Sequence, residues 1–316
     1  MEQSKFSLAD LLTIVGAVAF GFICFLGLNF IQMGDDRKSI ILASVFSIVL
    51  FLCAFGARLL KRSDRNFRTS VIFEFILVAL FTLIFITLSV SPFPHFFNVT
   101  SQRSDVQKNL KESINQAENM FEEYEAYASR RENLYRNNLR SVVAAKNTMP
   151  SDYDARYGFS SSDVSDEKQI ENKMFTIHAD LFPTNYCDTI THNGIKDIAQ
   201  NWLEDAGKTV DLWKPIGIPR IAKEVKTESE GWRNTLVDYS KVREKGEEAK
   251  DFEYALSFSE VEYILTQEKE PGAFSIILSI ILWGMMMFSW MITKRHPRFP
   301  GWMMIFSNHK KAIDEL

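Results

Sequence analysis

Four long apolar stretches constrain the fold of this chain more than any other feature of its sequence. They are Leu8–Met33, Ser39–Leu60, Ser70–Ser91 and Ala273–Thr293. Each has the roughly 20 residues that an α-helix needs to cross the hydrocarbon core of a bilayer. A long polar block, Asn98–Gly272, separates the third stretch from the fourth. The sequence therefore predicts an all-α integral membrane protein, with three spans, a mostly helical domain outside the cytoplasm and a final span.

Basic residues close to the spans predict their orientation. The connection between spans two and three, residues 61–69, is strongly basic, and the segment after span four, residues 294–316, begins with Lys294 and Arg295. Because cytoplasmic connections carry an excess of Lys and Arg, both segments are expected in the cytoplasm. Four spans then place residues 1–7 in the cytoplasm too, and Asn98–Gly272 on the opposite side.

Charge and cysteine content indicate the compartment. Asn98–Gly272 has a net charge of −9, whereas the remainder of the chain has +5. An acidic exterior argues against a nucleic-acid partner. Cys187 is the one cysteine of this block, whereas a secreted eukaryotic domain of this size usually has several disulfides. We therefore expect a bacterial inner membrane protein with a periplasmic domain.

Glu74 is the ionisable residue that lies deepest inside an apolar run. A carboxylate costs about 2.5–3.5 kcal/mol at the centre of a membrane helix, so it normally has a partner. Arg58 precedes the midpoint of the connection by about as many residues as Glu74 follows it, and antiparallel helices would place both at similar depth. The sequence predicts an intramembrane Arg58–Glu74 pair. A proton-carrying Glu74, or one that reaches towards the membrane surface, remains an alternative.

Small residues in the first two spans predict close helix packing. Ala17 and Gly21 in span one, and Ala43 and Ser47 in span two, have the small-xxx-small spacing that lets helix backbones approach each other.

The C-terminal segment combines aromatic and basic residues. Trp302 and Phe306 follow two prolines and precede Lys310 and Lys311. This composition is typical of an anchor at the level of the lipid headgroups. The alternative is a docking peptide for a cytoplasmic partner.

A second pattern, heptad spacing, dominates the start of the polar block. Ser104–Lys146 contains neither Pro nor Gly, and as one helix it would extend about 63 Å. Its apolar seam predicts packing along another helix, either inside the domain or in a coiled-coil oligomer. The seam consists of Leu110, Ile114, Ala117, Phe121, Tyr124, Ala128, Arg131, Tyr135, Asn138 and Val142.

The rest of the block predicts further helices. Ile218–Lys250 carries an apolar stripe and is expected to pack antiparallel to the first long helix. Asp166–Phe182 and Asn193–Ala206 read as shorter helices, the second ended by Gly207. Asp251–Ser257 alternates apolar and polar residues and predicts a strand.

Motifs for catalysis or metal binding are not found. His178, Cys187 and His192, with Asp180 and Asp188, have gaps that match no standard zinc pattern. The sequence has no glycine-rich phosphate loop, nucleophile elbow or His-Glu-x-x-His. We therefore expect a protein that is not an enzyme and that needs no cofactor or metal.

The layout resembles the TssN family, membrane subunits of the type VI secretion apparatus of Bacteroidota. The resemblance lies in the three clustered spans from Leu8 to Ser91, the helical block Asn98–Gly272, the final span Ala273–Thr293 and the short basic tail. It implies a non-enzymatic scaffold or anchor within an envelope complex. Its partners would be other membrane and periplasmic subunits, a cytoplasmic protein that contacts the basic loop and tail, the lipid bilayer, and possible further copies of the chain. There are two rival functions: a periplasmic sensor and a transporter that uses Glu74.

Overall fold

All regular secondary structure that the structure describes is helical. The structure is a computed structural model that describes residues 7–63, 67–160, 164–188, 193–258 and 261–295. A single π-helical turn, Asp152–Arg156, lies between α5 and α6. The helices are α1 (Leu8–Ile31), α2 (Asp36–Arg62), α3 (Phe67–Val90), α4 (Pro92–Ser101), α5 (Arg103–Ala144), α6 (Asp166–Leu181), α7 (Ile195–Asp211), α8 (Gly217–Lys241), α9 (Val261–Thr266) and α10 (Ala273–Ile292).

The chain divides into two compact units. The first, here called the membrane unit, comprises residues 1–103, 215–220 and 262–316; the second, the polar unit, comprises 104–214 and 221–261. The membrane unit contains four helices that are long and apolar enough to cross a membrane: α1, α2, α10 and a third candidate, Thr69–Ser101. The predicted multi-pass pattern is therefore confirmed at the level of helix length and composition.

Close packing between α1 and α2 uses the small residues that the sequence singled out. The Ser47 hydroxyl donates a hydrogen bond of 2.8 Å to the Ala17 carbonyl. A Cβ added to Gly21 would lie 2.8 Å from the Cβ of Ser47, a separation that atoms do not tolerate. The predicted small-residue contact is confirmed.

Aromatic side chains fill the interior of the membrane unit. Phe20 of α1 stacks on Phe85 of α3 with ring centroids 4.6 Å apart, and on Phe93 of α4 at 5.0 Å. Rings this close and offset contribute beyond the area they bury.

Helix α4 follows α3 almost directly and has two prolines in its first turn. Proline is well tolerated in the first turn of a helix, because the amides there have no intrahelical partner. Pro92 and Pro94 therefore begin α4 after the single residue Ser91. A Cβ on Gly27 would fall 1.8 Å from the Pro92 carbonyl oxygen, so α1 and α4 touch backbone to backbone.

The polar unit is organised around α5, which has 42 residues and confirms the predicted long helix. Its seam is buried as far as Tyr135, but Leu139 is buried where Asn138 was expected. An α-helix turns every 3.6 residues, so a strict heptad pattern drifts by about 20° per repeat in a straight helix. The buried face follows the real helical period.

The direction of α8 corrects the predicted antiparallel pair. Phe121 of α5 contacts Trp232 of α8 with centroids 6.0 Å apart, and further along both helices Arg131 donates to the Ser240 carbonyl. Since both numbers increase together, α8 runs parallel to α5. The chain instead returns through α6 and α7, which run the other way.

Contacts at both ends of α5 establish that return. Lys146 pairs with Asp166 at the start of α6, and Gln107 donates to the Val210 carbonyl at the end of α7. Helix α7 continues through Gly207 to Asp211, beyond the predicted end, since an isolated glycine within a helix is tolerated at a cost of about 1 kcal/mol relative to alanine.

Residues 242–258, here called the extended segment, contain no strand. The predicted alternation is present, since Phe252 is buried between exposed Asp251 and Glu253. Its backbone, however, bonds to side chains of α5 rather than to another strand. The tyrosine hydroxyls of Tyr127 and Tyr135 donate to the carbonyls of Lys250 and Lys245 at 2.7 and 2.9 Å. The strand prediction is therefore wrong.

Candidate functional site

A cluster of charged side chains lies where four helices of the membrane unit begin or end. It consists of Asp10 near the start of α1, Arg58 and Lys61 near the end of α2, Glu74 in α3, and Trp290 and Arg295 at the end of α10 and just after it. We call these six residues the helix-end cluster. Because α1 and α3 begin where α2 and α10 end, antiparallel helices bring these residues to one face of the unit.

Asp10 and Arg58 form the first ion pair of the cluster. Both are buried, with 2% and 8% of their surface exposed. The second oxygen of Asp10 accepts from the Ser7 amide at 2.8 Å, as in a helix capping box. Ser289 of α10 donates to the first oxygen at 2.8 Å. The Asp10 carboxylate therefore connects three helices.

Glu74 and Arg295 form the second pair. The Arg295 Nη2 donates to Oε1 at 3.1 Å, and Nη1 lies 2.8 Å from Oε2, at ion-pair distance but outside hydrogen-bond geometry. The Trp290 indole also donates to Oε1, at 3.0 Å. Two donors from the end of α10 thus hold a carboxylate that is 1% exposed.

Lys61 completes the cluster. Its ammonium donates to the Trp290 carbonyl at 2.8 Å and lies 4.5 Å from the centroid of the Trp290 ring. A cation over an indole face is attracted by the ring quadrupole. Trp290 therefore contacts both the acidic and the basic side of the cluster.

The predicted Arg58–Glu74 pair is wrong, because each residue has another partner. Similar depth along two helices does not fix the direction in which their side chains point around the helix axis. Arg58 faces α1 and Glu74 faces α10. Asp10 and Arg295 could have been found from the antiparallel order of the spans, which places the start of the first span and the end of the fourth at the same face as Arg58.

The other end of the membrane unit holds a segment that sequence reasoning missed. Residues 215–220, from the middle of the polar block, belong to this unit. Buried Asn29 of α1 donates to the Ile216 carbonyl at 3.0 Å. Gly34, with φ +79°, allows a backbone approach, since its Cβ would lie 2.7 Å from the Arg220 Cα. No hydropathy signal marks this segment, because the contact depends on one amide side chain and one glycine.

Arg131 is the buried cation of the polar unit. It forms a two-contact ion pair with Glu247, in which Nη2 donates to Oε2 at 2.9 Å. Nη1 donates to the Ser240 carbonyl at 2.7 Å, and Nη2 also contacts the Val242 carbonyl. Burial alone would lower the pKa of Arg131, but the hydrogen bonds and charge of Glu247 outweigh burial and raise it.

The predicted interaction seam lies inside the polar unit. Tyr124 donates to the Leu181 carbonyl at 2.7 Å, and burial raises the pKa of its hydroxyl. Phe121 contacts Trp232, as described above. Five large residues of the seam are each at most 6% exposed: Leu110, Ile114, Phe121, Tyr124 and Tyr135. Their packing matches the intramolecular alternative, so they form no accessible contact surface.

Candidate metal ligands are used in other contacts. His178 Nδ1 lies 2.8 Å from a Glu132 carboxylate oxygen, and the Cys187 thiol lies 3.6 Å from Asp197 Oδ1. His192, Trp302 and Phe306 lie outside the described residues. Within the part of the chain that the structure describes, no three His, Cys, Asp or Glu side chains are grouped to hold a metal ion.

A groove of about 680 Å³ runs between α5 and the extended segment. Its lining mixes apolar and polar groups, and its charged residues are four carboxylates and two cations: Glu122, Glu123, Asp251, Glu253, Arg130 and Lys250. Comparison with known proteins found no matching family model, no matching curated protein and no matching solved structure.

Proposed function

We propose that this chain is a non-enzymatic scaffold subunit that anchors a multiprotein assembly in a bacterial inner membrane. One observation carries the proposal: buried charges are used to join helices. Among the described residues, the buried charged side chains include Asp10, Arg58, Glu74, Arg131 and Glu247. Each is held in an ion pair that connects two different segments.

This use of charge favours a static framework over an ion-translocating machine. A proton pathway needs an ionisable group that exchanges protons with water and with further polar groups along the membrane. Glu74 is instead held by Arg295 and Trp290. The hydroxyls of Thr82 and Thr87, further along α3, donate to carbonyls of their own helix. We therefore disfavour the transporter alternative.

The proposed orientation follows from the basic residues near the spans. Both termini and residues 61–69 would be cytoplasmic, and the polar unit periplasmic. The resemblance of this layout to the TssN family makes a type VI secretion membrane complex the assembly that we propose. Exposed apolar residues on the polar unit support a role in contacts, notably Phe175 and Leu134, which are 74% and 65% exposed.

Cysteine labelling tests the orientation. In a background without Cys24, Cys53 and Cys187, a cysteine replaces Ser63 or Ser129, and intact cells are treated with a membrane-impermeant thiol reagent. We expect labelling at 129, which is exposed on α5, and none at 63 until the membrane is permeabilised. Labelling of 63 in intact cells would contradict the orientation.

Site-specific crosslinking tests the scaffold function. A photoreactive amino acid replaces Phe175 or Leu134 in the full chain, with exposed Lys168 of α6 as the matched control. We expect crosslinks to another envelope protein from the two apolar positions and fewer from 168. If neither position gives a protein crosslink and the purified chain binds a small molecule tightly, the sensor function is favoured instead.

A further inference from the structure

The helix-end cluster has more positive than negative groups. Its carboxylates are Asp10 and Glu74, and its cations are Arg58, Lys61 and Arg295. Arg58 takes up the first carboxylate and Arg295 the second. The Lys61 ammonium instead contacts a carbonyl and an indole ring. These contacts orient the ammonium. Glu74 also attracts it but is already paired with Arg295, so among the described residues of the cluster three cations share two carboxylates.

The surroundings of Lys61 allow an anion to reach this excess positive charge. Lys61 is only half-buried, at the end of α2, and two of its three donors remain after the hydrogen bond to Trp290. Lys294, exposed and four residues beyond Trp290, adds a second cation at the same helix end. A charge at the edge of a low-dielectric region attracts a counter-ion more strongly than one in water.

The groups around the two lysines match the parts of a phospholipid. Trp290 presents an amphipathic ring at the end of a membrane helix, the position where tryptophan meets lipid headgroups. Leu59 and Ile292 lie two residues from Lys61 and Trp290, and are 43% and 55% exposed. These side chains give the ends of α2 and α10 an exposed apolar surface that acyl chains can contact.

We propose that Lys61 and Lys294 bind the phosphate of an anionic phospholipid, with its acyl chains along the exposed faces of α2 and α10. The phosphate would supply a third anion to a cluster that, in the described part of the chain, has three cations and two carboxylates. Basic residues near an anionic membrane surface each contribute to lipid attraction, and here Trp290 holds one of them in place. A lipid is favoured over free phosphate because the ends of α2 and α10 also expose apolar side chains.

Native mass spectrometry of the full purified chain tests the site. The protein is titrated with phosphatidylglycerol and, separately, with phosphatidylcholine. The variants are Lys61→Gln, Lys294→Gln and their combination. The matched control is Lys38→Gln, at the opposite end of α2, where Lys38 pairs with Asp35. We expect selective binding of phosphatidylglycerol that falls about fivefold for each cluster lysine removed and is unchanged in the control.

Two further arms separate the alternatives. Lys61→Arg retains the charge and should retain binding, which distinguishes a lost site from a misfolded protein. Inorganic phosphate at millimolar concentration should not displace the lipid. Equal binding of both lipids by the wild type, or full binding by the double variant, would overturn the proposal. Displacement by inorganic phosphate would assign the site to a free anion instead.

Discussion

The two units bury ion pairs of the same chemistry in different surroundings. Asp10 and Arg58 lie on helices whose backbone hydrogen bonds are largely made within the helix. Arg131 pairs with Glu247 and also supplies donors to the carbonyls of Ser240 and Val242, where the chain leaves α8. The Asp10–Arg58 pair only joins two helices. Arg131, in contrast, joins Glu247 to α5 and also donates hydrogen bonds to backbone carbonyls at and just beyond the end of α8. The loss of these pairs should therefore have unequal effects.

The largest expected effect is at Arg131. Arg131→Met leaves the Glu247 carboxylate buried without its cation, and we expect a loss of about 3–5 kcal/mol in the free energy of unfolding. Denaturant unfolding of the full chain in detergent, followed by tryptophan fluorescence, measures it. The control is Arg130→Met, because Arg130 is exposed and adjacent. Equal stability of the two variants would show that Arg131 does not hold the extended segment.

The contact between α1 and α4 in the membrane unit should depend on side-chain volume rather than on charge. At Gly27 an added methyl group would overlap the Pro92 carbonyl, whereas at Gly284 of α10 it would meet nothing within 4 Å. We expect Gly27→Ala to destabilise by about 3 kcal/mol, and Gly284→Ala to be neutral or slightly stabilising. Thermal unfolding in detergent compares the two variants. If both behave alike, α1 and α4 do not meet at this point.

The positions of the four apolar helices and of α5 followed from the sequence, whereas the end of α8 at Lys241 and the partners of the charges did not. Apolar length defined the four spans, and the absence of Pro and Gly defined α5. Both properties are local. The direction in which Arg58 and Glu74 point depends on how each helix is rotated in the bundle, which no local pattern contains. The position of Asp10 does not predict its partner either, because a carboxylate in the first turn of a helix is already explained by capping of that helix.

The extended segment shows the same limit in the polar unit. Alternation of Phe252 with exposed neighbours correctly indicates a backbone with two faces. It carries no information on which groups form hydrogen bonds with this backbone. Here those groups are side chains of α5, such as Tyr127. Likewise, the direction of α8 depends on how far α6 and α7 carry the chain back, a property of three helices together.

A smaller effect is expected for Arg58 than for Arg131. Without Arg58, Asp10 still accepts from the Ser7 amide and from Ser289, and the start of a helix favours a negative charge. We expect Arg58→Met to cost about 2 kcal/mol. Adding Asp10→Asn removes the uncompensated charge and should restore part of that loss. A double-mutant cycle of thermal unfolding in detergent measures the coupling. Additive losses would mean that the pair contributes no coupling energy.

The smallest loss in the free energy of unfolding is expected at a surface ion pair of the polar unit. Asp166 accepts from Lys146 at 2.7 Å and from the Tyr153 hydroxyl at 2.6 Å. These contacts, Lys146 first, lower the pKa of Asp166. The hydrogen bond to Asp166, followed by burial, raises the pKa of Tyr153 to about 12. Since Lys146 is 47% exposed, solvent weakens the charge interaction.

The variant Tyr153→Phe tests how much this hydrogen bond contributes to the free energy of unfolding. It removes the hydroxyl and keeps the ring, which stacks on Phe159 at 5.0 Å. At neutral pH we expect a loss of about 1 kcal/mol or less. A carboxyl group whose pKa is lower in the folded state stabilises the fold above its unfolded pKa, about 3.9. That contribution disappears as the pH falls through the folded pKa. The difference between wild type and variant should therefore shrink below about pH 4, in denaturant titrations at several pH values. A difference that stays constant in acid would show that the hydroxyl acts independently of the Asp166 charge. The difference between the stability losses of the Tyr153 and Arg131 variants would then reflect packing rather than charge interactions.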